Sequence, residues 1–72
     1  MMREEKGVKA EGVVFEALPG LMFRVRLDDG KEVLAHLAGK MKINYIRVIP
    51  GDRVIVEMPN AEDKRGRIVR RF

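Results

Sequence analysis

Apolar and polar side chains alternate most cleanly between Leu21 and Asp28. Leu21, Phe23, Val25 and Leu27 share one parity, and Met22, Arg24, Arg26 and Asp28 the other. Strand side chains point alternately to two faces, so this segment is predicted as a strand with one buried and one wet face. Asp29-Gly30 follows, a pair that favours tight reversal of the chain. Val33, Ala35 and Leu37 then alternate against Glu32, Leu34 and His36. The two segments are predicted to form an antiparallel hairpin. Leu34 falls on its polar side, either supporting a contact surface or lying under a loop.

Upstream, Val8 to Leu18 reads as one long strand with a fault. Val8, Ala10, Gly12 and Val14 keep one parity, while Val13, Phe15 and Ala17 are apolar on the other. The apolar face changes parity near Gly12. A bulge or sharp coil is expected there, letting one strand serve both sides of a small barrel. Pro19-Gly20 supplies the next turn.

Gly39 to Arg47 is the only segment without strand alternation. Met41, Tyr45 and Val48 recur at helical spacing and predict a helix of at most about three turns. A helix that short must pack on the strands to persist in water. Gly39 is expected to end the preceding strand, and Pro50-Gly51 to close the helical segment. Asp52 to Met58 is the fourth strand, with Val54, Val56 and Met58 on one parity. Pro59 to Arg65 is a polar connection without a large apolar anchor. Gly66 to Phe72 is the fifth strand. Burying Ile68 leaves Arg67, Val69 and Arg71 outside, and Arg70 at the rim, because an unpaired guanidinium is costly to bury.

The order is three strands, a helix and two strands, over 72 residues that allow one small core. An open sheet of this size would expose edges, which closure removes. The expected fold is an all-β, five-stranded oligonucleotide/oligosaccharide-binding (OB) barrel with a short helix between strands three and four. An SH3-like barrel is the alternative, with a single turn in place of the helix. Residues 1–7 are charged and aperiodic and read as a flexible N-terminal arm, leaving 8–72 as a single domain.

Charge narrows the function. The formal net charge is +4, and it is unevenly placed. Residues 1–38 carry six basic and seven acidic side chains, and the remainder nine basic and four acidic. A positive field confined to one region favours a polyanionic partner, although charge also serves plain solubility. There is no cysteine and a single histidine, His36. No metal-binding His-Glu-x-x-His, phosphate loop or dinucleotide fingerprint is present. Asp28 and Asp29 are explained as turn formers. The expectation is no enzyme, no cofactor and no metal. Arg24 and Arg26 project from the strand that lines the ligand face of such barrels. Lys40, Lys42 and Arg47 extend that patch, and Arg65, Arg67, Arg70 and Arg71 form a second cluster. His36 points outward, able to stack on a base, meet a phosphate or remain merely solvated. Tyr45 is read as mainly structural with an exposed edge. With few outward aromatics, a folded RNA read by shape and phosphate position fits better than a stacked single strand.

Glu16-Ala17-Leu18-Pro19, Met22-Phe23-Arg24-Val25, and His36-Leu37-Ala38-Gly39-Lys40-Met41 are followed by Asn44-Tyr45-Ile46-Arg47, Pro50-Gly51-Asp52 and Arg65-Gly66-Arg67-Ile68. Over roughly residues 8–70, the chain resembles bacterial translation initiation factor 1. The resemblance implies a cytoplasmic OB barrel, monomeric off the ribosome, that binds the small ribosomal subunit at the aminoacyl-tRNA site. It implies contacts with 16S ribosomal RNA and a neighbouring small-subunit protein, and cooperation with initiation factors 2 and 3. Arg24, His36, Lys40, Lys42, Tyr45, Arg47 and Arg67 occupy family positions; Arg65 and Arg71 complete the expected RNA-binding set. Two features depart from the family pattern. The connection Pro59 to Arg65 is one residue longer and lacks the usual tyrosine, and Ile43 replaces a second basic residue. The alternatives are a general RNA chaperone of cold-shock type and a protein-interaction barrel that binds no RNA.

Overall fold

The computed structural model describes residues 7–43, 47–60 and 62–72. Its elements are β1 (Val8–Leu18), β2 (Met22–Leu27), β3 (Glu32–Leu37), α1 (Gly39–Ile43), β4 (Arg53–Met58) and β5 (Arg65–Arg71). The strands close into a barrel in the order β1-β2-β3-β5-β4. All pairings are antiparallel except β3 with β5, which is parallel. This is the expected OB architecture, with the helix between β3 and β4. Except for Gly7, the arm expected over residues 1–7 lies outside the described residues.

Strand parity builds the interior. Val14 enters from β1, Phe23, Val25 and Leu27 from β2, and Val33, Ala35 and Leu37 from β3. Val54, Val56 and Met58 enter from β4 and Ile68 from β5, joined by Met41 and Val48. Arg70 is exposed, with its guanidinium 5.6 Å from the Phe72 ring centroid. Met41 is the one buried residue of α1. Burying a side chain of this size contributes about 1.5–3 kcal/mol, enough to hold a turn that has little stability alone.

β1 serves both sides of the barrel, pairing with β2 through residues 12–18 and with β4 through residues 8–13. The break in its register lies elsewhere than expected. Gly12 stays in register with both Leu27 and Val54, and the irregularity falls between Val14 and Glu16. The inward parity persists from Val8 to Val14, and Phe15 is then the extra residue. Phe15 turns outward beneath Arg26, whose guanidinium lies 5.0 Å from the ring centroid. Gly12 has a different role. A Cβ there would meet the Arg26 carbonyl oxygen at 2.5 Å and the Leu27 Cα at 2.9 Å. Only glycine lets β1 approach β2 so closely while β4 holds its other side.

Two turns and the helix also depart from expectation. Leu21 faces solvent, 51% exposed with φ 60°, because it belongs to the β1–β2 turn rather than to β2. The β2–β3 connection is a three-residue loop, not a two-residue reversal. The Gly30 N–H donates to the Leu27 carbonyl at 2.8 Å and the Leu27 N–H to the Lys31 carbonyl at 2.7 Å. With Gly30 at φ 94°, this is a type I turn followed by a left-handed residue. The described helix covers Gly39–Ile43: Gly39 opens it rather than ending β3, and Arg47, expected within the helical segment, is not helical. Tyr45, expected on its buried stripe, lies outside the described residues.

Candidate nucleic-acid interface

The strand registers align outward side chains in rows. Met22 on β2 opposes His36 on β3, which opposes Arg67 on β5. Arg67 opposes Glu57 on β4, and Glu57 opposes Lys9 on β1. This row crosses all five strands. The neighbouring row is Arg24, Leu34 and Arg65 across β2, β3 and β5.

Three open grooves lie along these rows. The central one, about 710 Å³, has Met22, Leu34, Met58 and Pro59 in its lining, together with His36, Arg65 and Arg67. A hairpin-side groove shares Leu34 and Arg65 with it and adds Arg24, Lys31 and Lys64. A helix-side groove shares Glu57 and Arg67 with the central one and adds Lys9, Lys40 and Arg70. The shared residues make the grooves one continuous cationic band. Its half-buried apolar stretch at Met22 and Leu34 is flanked by donors that suit phosphate oxygens.

Several of these cations are engaged by carboxylates. Arg24 Nε lies 3.1 Å from Glu16, and an Arg26 nitrogen 2.8 Å from Glu32. Arg67 donates from Nε and a terminal nitrogen to one Glu57 oxygen, at 3.3 and 3.1 Å. Arg71 lies 3.8 Å from Asp52. Exposed pairs of this kind are worth at most about 1 kcal/mol, so a well-placed phosphate can compete for the same guanidinium. Among the described residues, Lys40, Lys42, Arg47 and Arg65 form no ion pair. Arg53 is a structural cation. It bridges Asp28 at 3.0 Å and Glu11 at 3.3 Å, and hydrogen bonds from the guanidinium to Asp28 and then Glu11 raise its pKa.

A family model described as translation initiation factor 1A / IF-1 matches residues 1–72. The chain belongs to this family. The solution structure of translation initiation factor 1 from the Wolbachia endosymbiont of Brugia malayi is similar at 44% identity and a TM-score of 0.76, covering 94% of this chain and 80% of that one. YjeQ from Thermotoga maritima is similar at 26% identity and a TM-score of 0.72. There the match covers 90% of this chain but 23% of the other, so the barrel corresponds to one part of a longer protein. Family membership and fold together support a role in translation initiation.

On this initiation-factor barrel, the structure brings Arg24, His36, Lys40, Arg65 and Arg67 onto the band. Lys42 and Arg47 are exposed but line none of the three grooves, and Arg71 sits beside Asp52 away from them. Lys9, Lys31, Lys64 and Arg70 line the band although the candidate RNA-binding set omits them. For Lys9, Lys31 and Lys64 the signal was charge alone, whereas Arg70 already belonged to the second basic cluster; cross-strand register and turn geometry bring them in. The Pro59 to Arg65 connection is held partly by its own side chains. Asn60 Oδ1 accepts the Glu62 N–H at 3.0 Å, and Asp63 Oδ1 accepts the Arg65 N–H at 3.1 Å. The Leu34 N–H also donates to the Lys64 carbonyl at 2.9 Å, tying the connection to β3. Among the described residues no three His, Cys, Asp or Glu side chains gather as a metal site, and no helix is long and apolar enough to cross a membrane.

Proposed function

We propose that this protein binds the small ribosomal subunit during initiation, occupying the aminoacyl-tRNA site as a steric plug. Its basic surface matches phosphates of folded 16S ribosomal RNA, beside a neighbouring small-subunit protein, and it works with initiation factors 2 and 3 in the cytoplasm. It acts as a monomer off the ribosome and needs no cofactor. The observation carrying this reading is the continuous cationic band across β2, β3 and β5, on a barrel of the initiation factor 1 family. Arg24, His36, Lys40, Arg65 and Arg67 are the proposed RNA contacts within the band. Lys42, Arg47 and Arg71 are proposed as contacts beyond it, and Tyr45 as a further contact.

Chemical footprinting of 16S RNA in small subunits, with and without the protein, tests the location. Protection confined to the aminoacyl-tRNA site supports the reading, and protection elsewhere or none refutes it. Binding titrations against salt test the chemistry. Each phosphate contact contributes about 0.7–0.9 to the log–log slope. Lys42→Ala and Arg47→Ala are each expected to weaken binding and flatten the slope by about one contact while leaving the fold intact. If both bind like the parent, the region around α1 is not an RNA-contacting element.

A further inference from the structure

Glu57 is the only acid in the row that crosses all five strands, set between Arg67 on one side and Lys9 on the other. It is also the acidic residue common to the central and helix-side grooves. Asp63, the other acid on the central groove, directs its Oδ1 to the Arg65 backbone instead. Glu57 is well held, with its side chain 26% exposed and one oxygen accepting both Arg67 donors. Both bonds end on that single oxygen and bias the carboxylate toward Arg67, at the junction of the two grooves.

We propose that Glu57 is a specificity-determining residue that makes the band selective for RNA of fixed shape over flexible single strands. The inference rests on the RNA-binding reading above. Two effects act together. The carboxylate repels any phosphate that runs along the band between the central and helix-side grooves. The same carboxylate aims the Arg67 guanidinium in one direction. A flexible polyanion must pass the repulsive point to use the whole band, and it draws no benefit from an aimed donor. A folded RNA can place its phosphates on either side of Glu57 and meet Arg67 as it is held. Selectivity of this kind comes from disfavouring the wrong partner as much as from attracting the right one.

The test compares the parent with Glu57→Gln and Glu57→Asp, using an oligouridylate and intact small ribosomal subunits as probes. Glutamine keeps the shape and removes the charge; aspartate keeps the charge. Glu57→Gln is expected to bind the oligouridylate at least about threefold more tightly, as expected for one exposed charge. Its salt slope on that single strand should steepen by about 0.7, one newly usable phosphate contact. Affinity for small subunits should gain less or fall, so the ratio between the two probes narrows. Glu57→Asp should bind the oligouridylate like the parent. Thermal melts accompany each variant, and Glu57→Ala repeats the charge removal if the glutamine variant is poorly folded. Unchanged oligouridylate affinity and slope in the folded, charge-removed protein would overturn the proposal. A purely structural Glu57 would lower the melting temperature without changing the slope. If the parent binds small subunits no better than oligouridylate, the proposed function fails, and the oligouridylate comparison still decides how Glu57 acts.

Discussion

Replacing Gly12 with alanine tests the geometry on which barrel closure depends. The added Cβ would lie 2.5 Å from the Arg26 carbonyl oxygen, 2.9 Å from the Leu27 Cα and 3.0 Å from the Arg26 carbonyl carbon. All three atoms are backbone, so no side chain can rotate away. Moving the oxygen contact out to 3.0 Å requires β1 and β2 to separate by about half an ångström. Ladder hydrogen bonds beside Gly12 then stretch to the edge of useful geometry. β1 cannot retreat freely, because Gly12 is paired with Val54 of β4 on its other side. Overpacking of this kind costs about 1–3 kcal/mol, and a weakened hydrogen bond about 1 more. The expected loss is about 2–4 kcal/mol, against a total stability of about 4–11 kcal/mol for a domain of this length. Urea unfolding followed by circular dichroism measures it as a lower midpoint at unchanged m-value. Gly39→Ala is the control, since nothing lies within 4 Å of its added Cβ. It should be neutral, or stabilising by up to about 1 kcal/mol at the start of the helix. A Gly12→Ala protein within about 0.5 kcal/mol of the parent would refute the close-approach argument.

Two further substitutions probe the turns and the helix. Leu21 holds φ 60° without glycine's freedom, so Leu21→Asn is expected to stabilise the protein by up to about 1 kcal/mol; a lower urea midpoint would contradict this. Met41→Ala removes the only buried side chain of α1 and is expected to cost about 2–5 kcal/mol. Amide exchange should accelerate in α1 beyond the global change, and uniform acceleration would show that Met41 does not hold the helix locally.

The parts of the fold readable from the sequence were those where parity and burial coincide. Phe23, Val25 and Leu27 alternate against Met22, Arg24 and Arg26, so strand and inward face followed together. The break in β1 was harder to place. Phe15 has a core-forming side chain but sits outside, and the Arg26 guanidinium covering its ring comes from a neighbouring strand. Leu21 misled for a related reason: its parity continues that of β2, but its backbone belongs to the turn. The cationic surface was legible in part: Arg24, His36, Lys40, Arg65 and Arg67 were read as candidates and lie on the band, but its continuity was not. Lys9, Lys31, Lys64 and Arg70 join the band only once β5 lies between β3 and β4. The partnership of Arg67 with Glu57 likewise spans two strands and needs their register.

The placement of β5 also bears on what closes the ring. β5 is the last of the five strands in sequence yet sits between β3 and β4. Without β5, the β1–β2–β3 meander and the β1–β4 pair leave β3 and β4 with open edges facing each other. Ile68 arrives with β5 to complete the core, and the Ala38 N–H, donating to the Ile68 carbonyl at 2.9 Å, then ties the start of α1 to that strand. A chain without β5 therefore carries unpaired strand edges, which invite association with other chains. Closure rests on β5, and truncation within it removes the keystone from an otherwise prepared ring.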